Sequence, residues 1–595
     1  MKKEYVMGNS AIALGALAAG VNLVSGYPGT PSSEIIETVA KYKNGDVHLE
    51  WSVNEKAALE VAAGAAYAGA RAMVTMKQVG LNVASDPLMS LAYVGVKGGL
   101  VIVAADDPGP ISSQTEQDTR MFAEFARIPV FDPSSPEEAY IMIRDAFDYS
   151  EKYRTPVLFR PTTRVCHAYA SIEREEDPVP KKYEGFIKDS KKWVIFPRLS
   201  FMNHEMIEKR NPMIGDDFSG YHLNTVTGSG KKAIFASGIS YAYVKEYLQD
   251  RDDVILCKIS TPYPFPEKLA LSVLEKAEEV LCAEELSPYI ETQLQRLAGI
   301  HRLPVRILGK TTGNGRLSGE NSADWAAETV GEFLGDEPKP KTDLSDMPPL
   351  PVRPPVLCAG CPHRASFYAV KKAMAGRKAY FCGDIGCYTL GNAMPLDMTD
   401  TCLCMGAGIT MAQGFNHMDK DAVSFAFVGD STFFASGMTG TVNAVYNEAD
   451  MILCVLDNST TAMTGHQPHP GTGRNMMGDI IEKIDIVKIL EGIGVKKIVT
   501  VNPFDLESAV GAVRDCADIP GVKAIIFKAP CIALTKPTQK MEITDRCIKC
   551  KKCIKEIGCP AITVSEGRVV IDTTLCTGCG LCSKICPVNA IGGEC

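Results

Sequence analysis

Residues 422–458, AVSFAFVGDSTFFASGMTGTVNAVYNEADMILCVLDN, contain two apolar runs, and each run ends in a polar residue. The first ends at Gly429-Asp430 and the second at Asp457-Asn458. The stretch between them predicts one helical crossover, which makes the two strands parallel neighbours. Because ligands bind at the carboxyl ends of strands in an open parallel sheet, we expect Asp430 and Asn458 to lie together there. A carboxylate and an amide oxygen suit Mg²⁺, although an ordinary strand-to-helix turn has the same pattern.

The same alternation of apolar strands and helices covers most of the 595 residues and predicts a multidomain α/β protein with parallel sheets. Strands are expected at 47–51, 72–77, 99–104, 156–160, 232–237, 253–258, 279–282, 422–428, 451–457 and 523–529. Residues 180–230, with scattered Pro, Gly and charge, are predicted to be irregular. The expected segments are α/β domains at 1–180, 181–336 and 356–540, a Pro-rich linker at 337–355 and a Cys-rich tail at 541–595.

Composition excludes several classes of protein. The 62 Lys and Arg against 71 Asp and Glu give a net charge of −9, which argues against a general nucleic-acid binder. Runs of strongly apolar residues are too short for a membrane span. Many of the 21 Cys recur at the two-residue spacing of metal or cluster ligands. We therefore expect a reducing cytoplasm in place of a secreted disulfide framework.

The Cys-rich tail has the most specific pattern in the chain. Two CxxCxxC runs begin at Cys547 and Cys576, and each is followed by a Cys-Pro pair. In two-cluster ferredoxins, the three thiolates of one run and the Pro-flanked Cys of the other run hold one [4Fe–4S] cluster. The predicted ligand sets are Cys547, Cys550, Cys553 and Cys586 for one cluster, and Cys576, Cys579, Cys582 and Cys559 for the other. Zinc sites are the alternative, but zinc usually takes separated Cys pairs.

Gly429-Asp430-Ser431, followed by Asn458, resembles the diphosphate-binding motif of thiamine-dependent enzymes. By that resemblance these residues hold thiamine diphosphate, and Asp430, Asn458 and the backbone oxygen of Thr460 bind Mg²⁺.

Thiamine-dependent enzymes also need a Glu from another domain, which exchanges a proton with N1′ of the pyrimidine ring. Glu55 begins a helix rich in Ala and Gly and fits this role better than Glu60, which lies inside the same helix. Burial suits the task because it raises the pKa of a carboxyl group. The alternative is a Glu placed at a helix N-terminus by the helix dipole.

Four stretches and the tail resemble the large subunits of 2-oxoacid:ferredoxin oxidoreductases of the indolepyruvate type. The stretches are GYPGTPSSE (26–34), CAGCPHR (358–364), GDIGCYTLG (383–391) and NSTTAMTGH (458–466). The resemblance implies oxidative decarboxylation of an aryl 2-oxoacid, with the acyl group passed to coenzyme A and electrons passed through [4Fe–4S] clusters to an external ferredoxin. It also implies a smaller β subunit as partner. The segments become a pyrimidine-binding domain (1–180), a transketolase-C-like domain (181–336), a diphosphate-binding domain (356–540) and a two-cluster ferredoxin domain (541–595).

The resemblance further implies a third [4Fe–4S] cluster near the thiamine. Its predicted ligands are Cys358, Cys361, Cys387 and Cys531, and Cys382, Cys402 and Cys404 compete with them. Cys166, Cys257, Cys282 and Cys454 lie in apolar surroundings and are expected to act as small buried hydrophobic residues.

Three further residues are candidates at the catalytic centre. Thr30 is the candidate contact for the substrate carboxylate. Arg120 either pairs with that carboxylate through its fork or lies on the surface of a helix. Of His466 and His469, one assists proton transfer or both are structural, and His466 is the candidate.

Three alternative functions remain open from the sequence. One is a pyruvate or 2-oxoglutarate enzyme of the same superfamily. Another is an electron-transfer subunit with an inactive thiamine site. The third is a non-redox thiamine lyase with structural clusters.

Overall fold

The computed structural model describes residues 2–176, 178–338, 343, 345–537 and 539–592. The chain divides into two compact units, Met1–Asp346 and Met347–Cys595. Each predicted α/β segment has its own sheet of mainly parallel strands, and the predicted α/β class is confirmed.

The first sheet has six parallel strands with the most apolar strands in the middle. Their order is His48–Trp51, Leu23–Gly26, Ala72–Lys77, Leu100–Ala105, Val157–Phe159 and Val130–Phe131. Its helices are Gly8–Ala18, Ser33–Tyr42, Glu55–Tyr67, Gln78–Val83, Ser85–Val94, Thr119–Ala126, Pro136–Tyr153 and Thr163–His167. Lys2–Met7 pairs antiparallel with Tyr169–Arg174. Burial on both faces explains the continuous apolar runs at 72–76 and 100–105.

The second sheet lies in the same compact unit and contains five strands. Their order is Arg306–Leu308, Glu279–Ala283, Lys232–Ala236, Ile255–Lys258 and Val226–Thr227, and only the last is antiparallel. The helices of this part are Ser190–Trp193, Pro197–Ser219, Gly238–Leu248, Glu267–Leu274, Tyr289–His301 and Ala323–Leu334.

The prediction that 180–230 is irregular is wrong for the long helix Pro197–Ser219. Pro197 occupies the first turn, where its missing N–H costs nothing, and Pro212 lies inside the helix. Ile207, Ile214 and Phe218 are buried along one face. This packing outweighs the low helix propensity that the sequence indicates.

The unit Met347–Cys595 contains a third sheet of five parallel strands. Their order is Ala379–Cys382, Val423–Gly429, Met451–Asp457, Val522–Lys528 and Lys497–Val501. The helices are Pro362–Ala373, Ala407–Met418, Asp430–Thr432, Met438–Tyr446, Ile486–Ile493 and Leu506–Ala517, with 3₁₀ turns at Cys387–Asn392 and Ile532–Leu534. Gly429 pairs with Leu456, so the two strands of the opening stretch are parallel neighbours as predicted. Their crossover is helical and includes a π-helical turn, Phe433–Gly437.

The Cys-rich tail has little regular structure. Glu542–Ile543 pairs with Ile591–Gly592, Ile562–Ser565 pairs with Arg568–Ile571, and short helices span Lys552–Lys555 and Leu581–Ile585. Its buried Ile557, Leu581 and Ile585 share one apolar cluster with residues of the third α/β domain such as Phe367. A short segment thus gains the apolar contacts that it cannot supply alone.

The segment boundaries predicted from the sequence stay a prediction. Within the expected linker 337–355, residues 339–342 and 344 lie outside the described residues. In the described part of the chain, no helix combines the length and the apolar character needed to cross a membrane.

Candidate active site and cluster ligands

Glu55 is the first residue of the helix Glu55–Tyr67, directly after the strand His48–Trp51. Asn54 caps the helix by accepting a hydrogen bond from the Ala57 N–H at 2.9 Å. The Glu55 side chain is buried, and burial raises its pKa to about 7, against a smaller opposing effect of the Lys77 ammonium. A carboxyl group with a pKa near neutrality both accepts and returns a proton at physiological pH.

The space around the Glu55 carboxyl group depends on a glycine. A methyl group on Gly80 would lie 2.6 Å from Glu55 Oε1, so only glycine permits this approach. By contrast Glu60 is exposed and pairs with Lys56 at 2.7 Å on the outer face of the helix. Of the two glutamates, Glu55 has the environment of a proton-exchange group.

Asp430 and Asn458 follow neighbouring strands and lie at the same sheet edge, as predicted. Both are buried, and burial raises the pKa of Asp430. The Asp430 carboxylate accepts hydrogen bonds from the N–H groups of Ser431 and Ser459, at 2.9 and 2.8 Å. Ser459 adopts a left-handed conformation with φ of 62°, which turns the chain so that Thr460 follows Asn458 inward.

Two histidines contact these diphosphate-site residues. His469 Nε2 lies 3.1 Å from Asp430 Oδ2, and His363 Nε2 lies 3.3 Å from Asn458 Nδ2. Burial lowers the pKa of His363 to about 4, so its ring is neutral. His466, the candidate from the sequence, is exposed, and its φ is 67°. The loop therefore places His469, and not His466, against Asp430.

The donor set at this edge fits Mg²⁺. It combines the Asp430 carboxylate with the Asn458 amide, and the buried Thr460 hydroxyl has no hydrogen-bond partner within the protein. Hard oxygen ligands of this kind are those that Mg²⁺ prefers, with phosphate oxygens among its other ligands. Among the described residues, no group of three or more His, Cys, Asp and Glu side chains is spaced to hold a single metal ion, so the Mg²⁺ ligands and the Cys ligand sets stay predictions.

Asp384 is a further buried acid, and no role was predicted for it from the sequence. It accepts hydrogen bonds from the Gly406 N–H and the Tyr388 hydroxyl, each at 2.8 Å. Burial raises its pKa to about 6. Tyr388 also contacts Thr432, so Asp384 braces the turn that carries Asp430. Its position just after the strand Ala379–Cys382 is the feature of the sequence from which a place at the sheet edge could have been predicted.

The four cysteines predicted for the third cluster have one another among their charged neighbours. Burial raises the pKa of Cys387 to about 11, with contributions from the thiolates of Cys531 and Cys358, and Cys358 acts on Cys361 in the same way. The competing Cys402 has Cys404 and Asp384 as charged neighbours instead. The Cys531 N–H donates to the Asn458 carbonyl oxygen at 2.9 Å, so this thiol group borders the diphosphate site.

The tail cysteines have charged neighbours within the two crossed sets predicted from the sequence, and the assignment of the ligands stays a prediction. Burial raises the pKa of Cys553, with contributions from Cys550, Cys547 and Cys586. Burial and the thiolates of Cys579, Cys559, Cys576 and Cys553 raise the pKa of Cys582 to about 12. One cavity is lined by Cys559, Cys576, Cys579 and Cys582 together. The charged neighbours thus follow the crossed ligation of two-cluster ferredoxins. Cys166, Cys257, Cys282 and Cys454 are buried, as expected.

Arg120 does not have the position predicted for it. It is fully buried, so it is not on a helix surface, and its guanidinium is occupied by protein groups. It pairs with Asp118 at 2.7 Å and with Glu284 at 2.9 Å, and it donates to the carbonyl oxygens of Glu285 and Ser287. All three nitrogens of the buried guanidinium thus donate to protein groups, and Arg120 joins the two α/β segments of its unit.

Thr30 is partly exposed and precedes a cis bond to Pro31. The neighbouring Asn9 side chain donates to the Pro31 carbonyl oxygen at 2.6 Å and to Glu34 at 2.9 Å. The loop is therefore held firmly while the threonine side chain keeps access to solvent. Its contact with a substrate carboxylate stays a prediction.

Known proteins resemble the chain over almost its full length. The indolepyruvate oxidoreductase subunit IorA of Archaeoglobus fulgidus is 38% identical, and the match covers 99% of this chain and 97% of that protein. The IorA subunit of Methanothermobacter thermautotrophicus is 39% identical over 100% of this chain and 97% of its own length.

The chain belongs to the IorA family.

Family models agree with this IorA membership. Residues 14–212 match the thiamine-diphosphate-binding model of pyruvate flavodoxin/ferredoxin oxidoreductases, residues 384–526 match the C-terminal domain of thiamine pyrophosphate enzymes, and residues 569–592 match a 4Fe–4S binding domain. A 2-oxoglutarate:ferredoxin oxidoreductase from Magnetococcus marinus has a TM-score of 0.45 and 18% identity, covering 56% of this chain and 65% of that one.

These matches establish the class of chemistry. The chain is an oxidoreductase subunit of the 2-oxoacid:ferredoxin superfamily, with thiamine diphosphate and iron–sulfur clusters as cofactors. Its chemistry is thiamine-dependent oxidative decarboxylation of a 2-oxoacid with iron–sulfur electron transfer.

Proposed function

We propose that this IorA-family chain oxidatively decarboxylates aryl 2-oxoacids of the indolepyruvate type, yielding aryl-acetyl-coenzyme A and reducing ferredoxin. The observation that carries the proposal is the hydrogen bond from Cys531 N–H to the Asn458 carbonyl oxygen. It joins the backbone of a candidate cluster ligand to that of a diphosphate-site residue, which supports electron transfer from the thiamine site to a cluster. The aryl preference is supported by the full-length relatives named as indolepyruvate oxidoreductase subunits.

Each proposed site residue has a role that follows from its position in the chain. Glu55 holds and returns the proton at N1′ of the pyrimidine ring, and its pKa of about 7 suits both directions. Asp430, Asn458 and Thr460 hold Mg²⁺ and orient the diphosphate, with Gly429 and Ser431 in the same turn. Thiamine diphosphate, when bound, supplies the carbon nucleophile and accepts the electron pair left by CO₂. Cys358, Cys361, Cys387 and Cys531 would hold a cluster able to accept electrons, and the two tail sets would hold clusters able to carry electrons onward.

The test is an anaerobic assay of the complete enzyme with coenzyme A and a viologen dye. We expect indolepyruvate and phenylpyruvate to be oxidised at least about tenfold more efficiently, in kcat/KM, than pyruvate or 2-oxoglutarate, a discrimination of about 1.4 kcal/mol. Equal or reversed preference would reject the aryl assignment within the superfamily. About one thiamine diphosphate per chain is expected, and its absence would favour the electron-transfer alternative. Dye reduction that does not depend on coenzyme A would reject the acyl-transfer step.

A smaller β subunit is the proposed partner, and the relatives are themselves named as subunits. We expect this chain alone to lack coenzyme A-dependent activity and to regain it with the β subunit. Full activity of the isolated chain would contradict this expectation.

An external ferredoxin is the proposed electron acceptor. Arg546, Lys549, Lys551 and Lys555 are exposed around the exposed Cys550, although the whole chain carries a net charge of −9. Such a basic surface attracts an acidic carrier protein. Electron transfer to an acidic plant-type [2Fe–2S] ferredoxin should therefore slow with rising salt, and transfer to cationic methyl viologen should not. We place the enzyme in the cytoplasm, which is reducing, because its CxxCxxC runs have the spacing of cluster ligands.

A further inference from the structure

Arg364 is a buried cation without a buried counter-ion. It lies in the first turn of the helix Pro362–Ala373, and its relative exposure is 5%. In the described part of the chain no carboxylate pairs with it. Its guanidinium donates instead to the carbonyl oxygens of Leu357, Ile557 and Gly558, the last at 2.9 Å. Burying a charge without a counter-ion is unfavourable, so a compensating negative charge is expected nearby.

The groups that surround Arg364 are thiols. It lines the cavity that also contains Cys361, Cys559 and Cys579, and its Nε is buried without a hydrogen-bond partner. Burial lowers the pKa of Arg364, and the thiolates of Cys559, Cys361, Cys358 and Cys579 oppose this effect. Cys358 and Cys361 belong to the set near Asn458, and Cys559 and Cys579 belong to the tail.

The two cysteine loops on either side of Arg364 are in direct contact. Gly360 lies between Cys358 and Cys361 and has a φ of 76°, and a methyl group there would overlap the Thr577 hydroxyl. Thr577 lies between Cys576 and Cys579 of the tail. Two of the three backbone carbonyl groups that accept from Arg364, those of Leu357 and Gly558, directly precede Cys358 and Cys559. One side chain thus fixes the start of a loop in each ligand set.

We propose that Arg364 is the shared counter-charge of two [4Fe–4S] clusters, the one held by Cys358, Cys361, Cys387 and Cys531 and the one held by Cys559, Cys576, Cys579 and Cys582. The inference rests on the cluster ligands of the proposed function. A cluster bound by four thiolates is anionic, and each electron that it accepts adds negative charge. A cation fixed in a medium of low dielectric constant stabilises the reduced form and raises the reduction potential. Arginine suits this position because it stays charged when buried.

The test is an EPR-monitored redox titration of the anaerobically purified protein with Arg364→Gln. Both clusters next to Arg364 should become harder to reduce, so two of the three potentials fall. The third, of the cluster held by Cys547, Cys550, Cys553 and Cys586, should stay in place and serves as an internal control. Lys584→Gln is the matched control, because it removes an exposed charge from the same tail and solvent screens that charge. Unchanged potentials in Arg364→Gln, with the clusters present, would overturn the proposal.

Arg364→Lys keeps the positive charge but loses the guanidinium group that donates to three carbonyl oxygens. We expect it to retain both clusters, with potentials between those of the unmodified protein and Arg364→Gln. If Arg364→Gln loses a cluster, the Arg364→Lys protein decides between the explanations. Retention of that cluster, with a smaller fall in its reduction potential, supports the proposal. Loss of the same cluster from Arg364→Lys would show that Arg364 acts only by packing. Iron and sulfide analysis of the unmodified protein separates this test from the proposed function, because fewer than three clusters per chain would reject the ligand sets themselves.

Discussion

Two buried acids in the unit Met1–Asp346 have opposite environments. Burial would raise the pKa of Asp118, but the Arg120 guanidinium more than offsets it and holds the pKa at about 2. Glu55 has no paired cation, and burial raises its pKa to about 7 against the smaller opposing effects of a backbone hydrogen bond and of the Lys77 ammonium. Both side chains are nearly inaccessible to water. The difference shows that a paired cation, and not burial itself, distinguishes an acid that stabilises the fold from an acid with the pKa of a proton-exchange group.

Removing the unpaired acid should have the largest effect on activity. We expect Glu55→Gln to lower kcat by about 10²–10⁴-fold, because an amide cannot exchange the proton at N1′. The measurement is coenzyme A-dependent viologen reduction with indolepyruvate at equal thiamine content. Glu60→Gln changes an exposed Glu on the same helix and should retain near-normal kcat. A loss of less than tenfold for Glu55→Gln would remove Glu55 from the catalytic centre.

Removing the cation of the paired site should instead damage the fold. We expect Arg120→Met to lower the free energy of unfolding of this unit by about 3–5 kcal/mol, since it leaves Asp118 and Glu284 buried without their partner. All three tryptophans, Trp51, Trp193 and Trp325, lie in this unit, so their fluorescence in a urea titration of the full chain reports its unfolding.

Arg164→Met is the control for that titration. Arg164 pairs with Glu320 at the surface, and such pairs contribute about 0–1 kcal/mol. Equal midpoints for the Arg120 and Arg164 variants would mean that the buried pair is not structural.

The dependence of stability on pH should have opposite signs at the two sites. The folded state holds the Glu55 proton more tightly than the unfolded state, so this group's contribution falls by about 3 kcal/mol as pH rises from about 4.5 through about 7. Asp118, with its lowered pKa, contributes stability that is present above pH about 4 and is lost as pH falls toward 2. Glu55→Gln should thus gain stability relative to the unmodified protein at pH 8 but not at pH 4. Thermal midpoints at both pH values test this, and an equal difference at the two would be evidence against it.

A smaller change tests the space around Glu55. We expect Gly80→Ala to destabilise the unit by about 1–3 kcal/mol and to lower kcat, because the added methyl group would lie 2.6 Å from Glu55 Oε1. Gly64→Ala is the matched control, because a methyl group there meets no atom within 4 Å and alanine favours the helix by about 1 kcal/mol. Parallel urea titrations and viologen assays should separate the two variants, and a Gly80→Ala protein as stable and active as Gly64→Ala would contradict the close packing.

The sequence predicts those features that follow from local periodicity and from fixed spacing. The strands at 72–77 and 451–457 lie where the apolar runs place them, and parallel pairing brings Asp430 and Asn458 to one edge. The tail cysteines are equally local, because each CxxCxxC run is one tight loop.

Features that depend on the path of a loop or on long-range packing are missed. The choice between His466 and His469 depends on left-handed turns at Ser459 and His466, which spacing does not reveal. The positions of Arg120 and Arg364 depend on carbonyl and carboxylate groups more than 160 residues away, such as Glu284 for Arg120. The helix Pro197–Ser219 forms despite its composition because its apolar face is buried.

Gly360 lies so close to Thr577 that a methyl group at Gly360 would overlap it. This close contact has a consequence for electron transfer through the chain. Where a redox centre lies on a mobile domain, the rate of electron transfer depends on how often that domain docks. Here the loops 358–361 and 576–579, which carry proposed ligands of two clusters, are in direct contact, so the distance between those clusters would be set when the chain folds. The rate of electron transfer would then be set by the driving force and by the distance between the clusters. A methyl group added at position 360 would increase that distance.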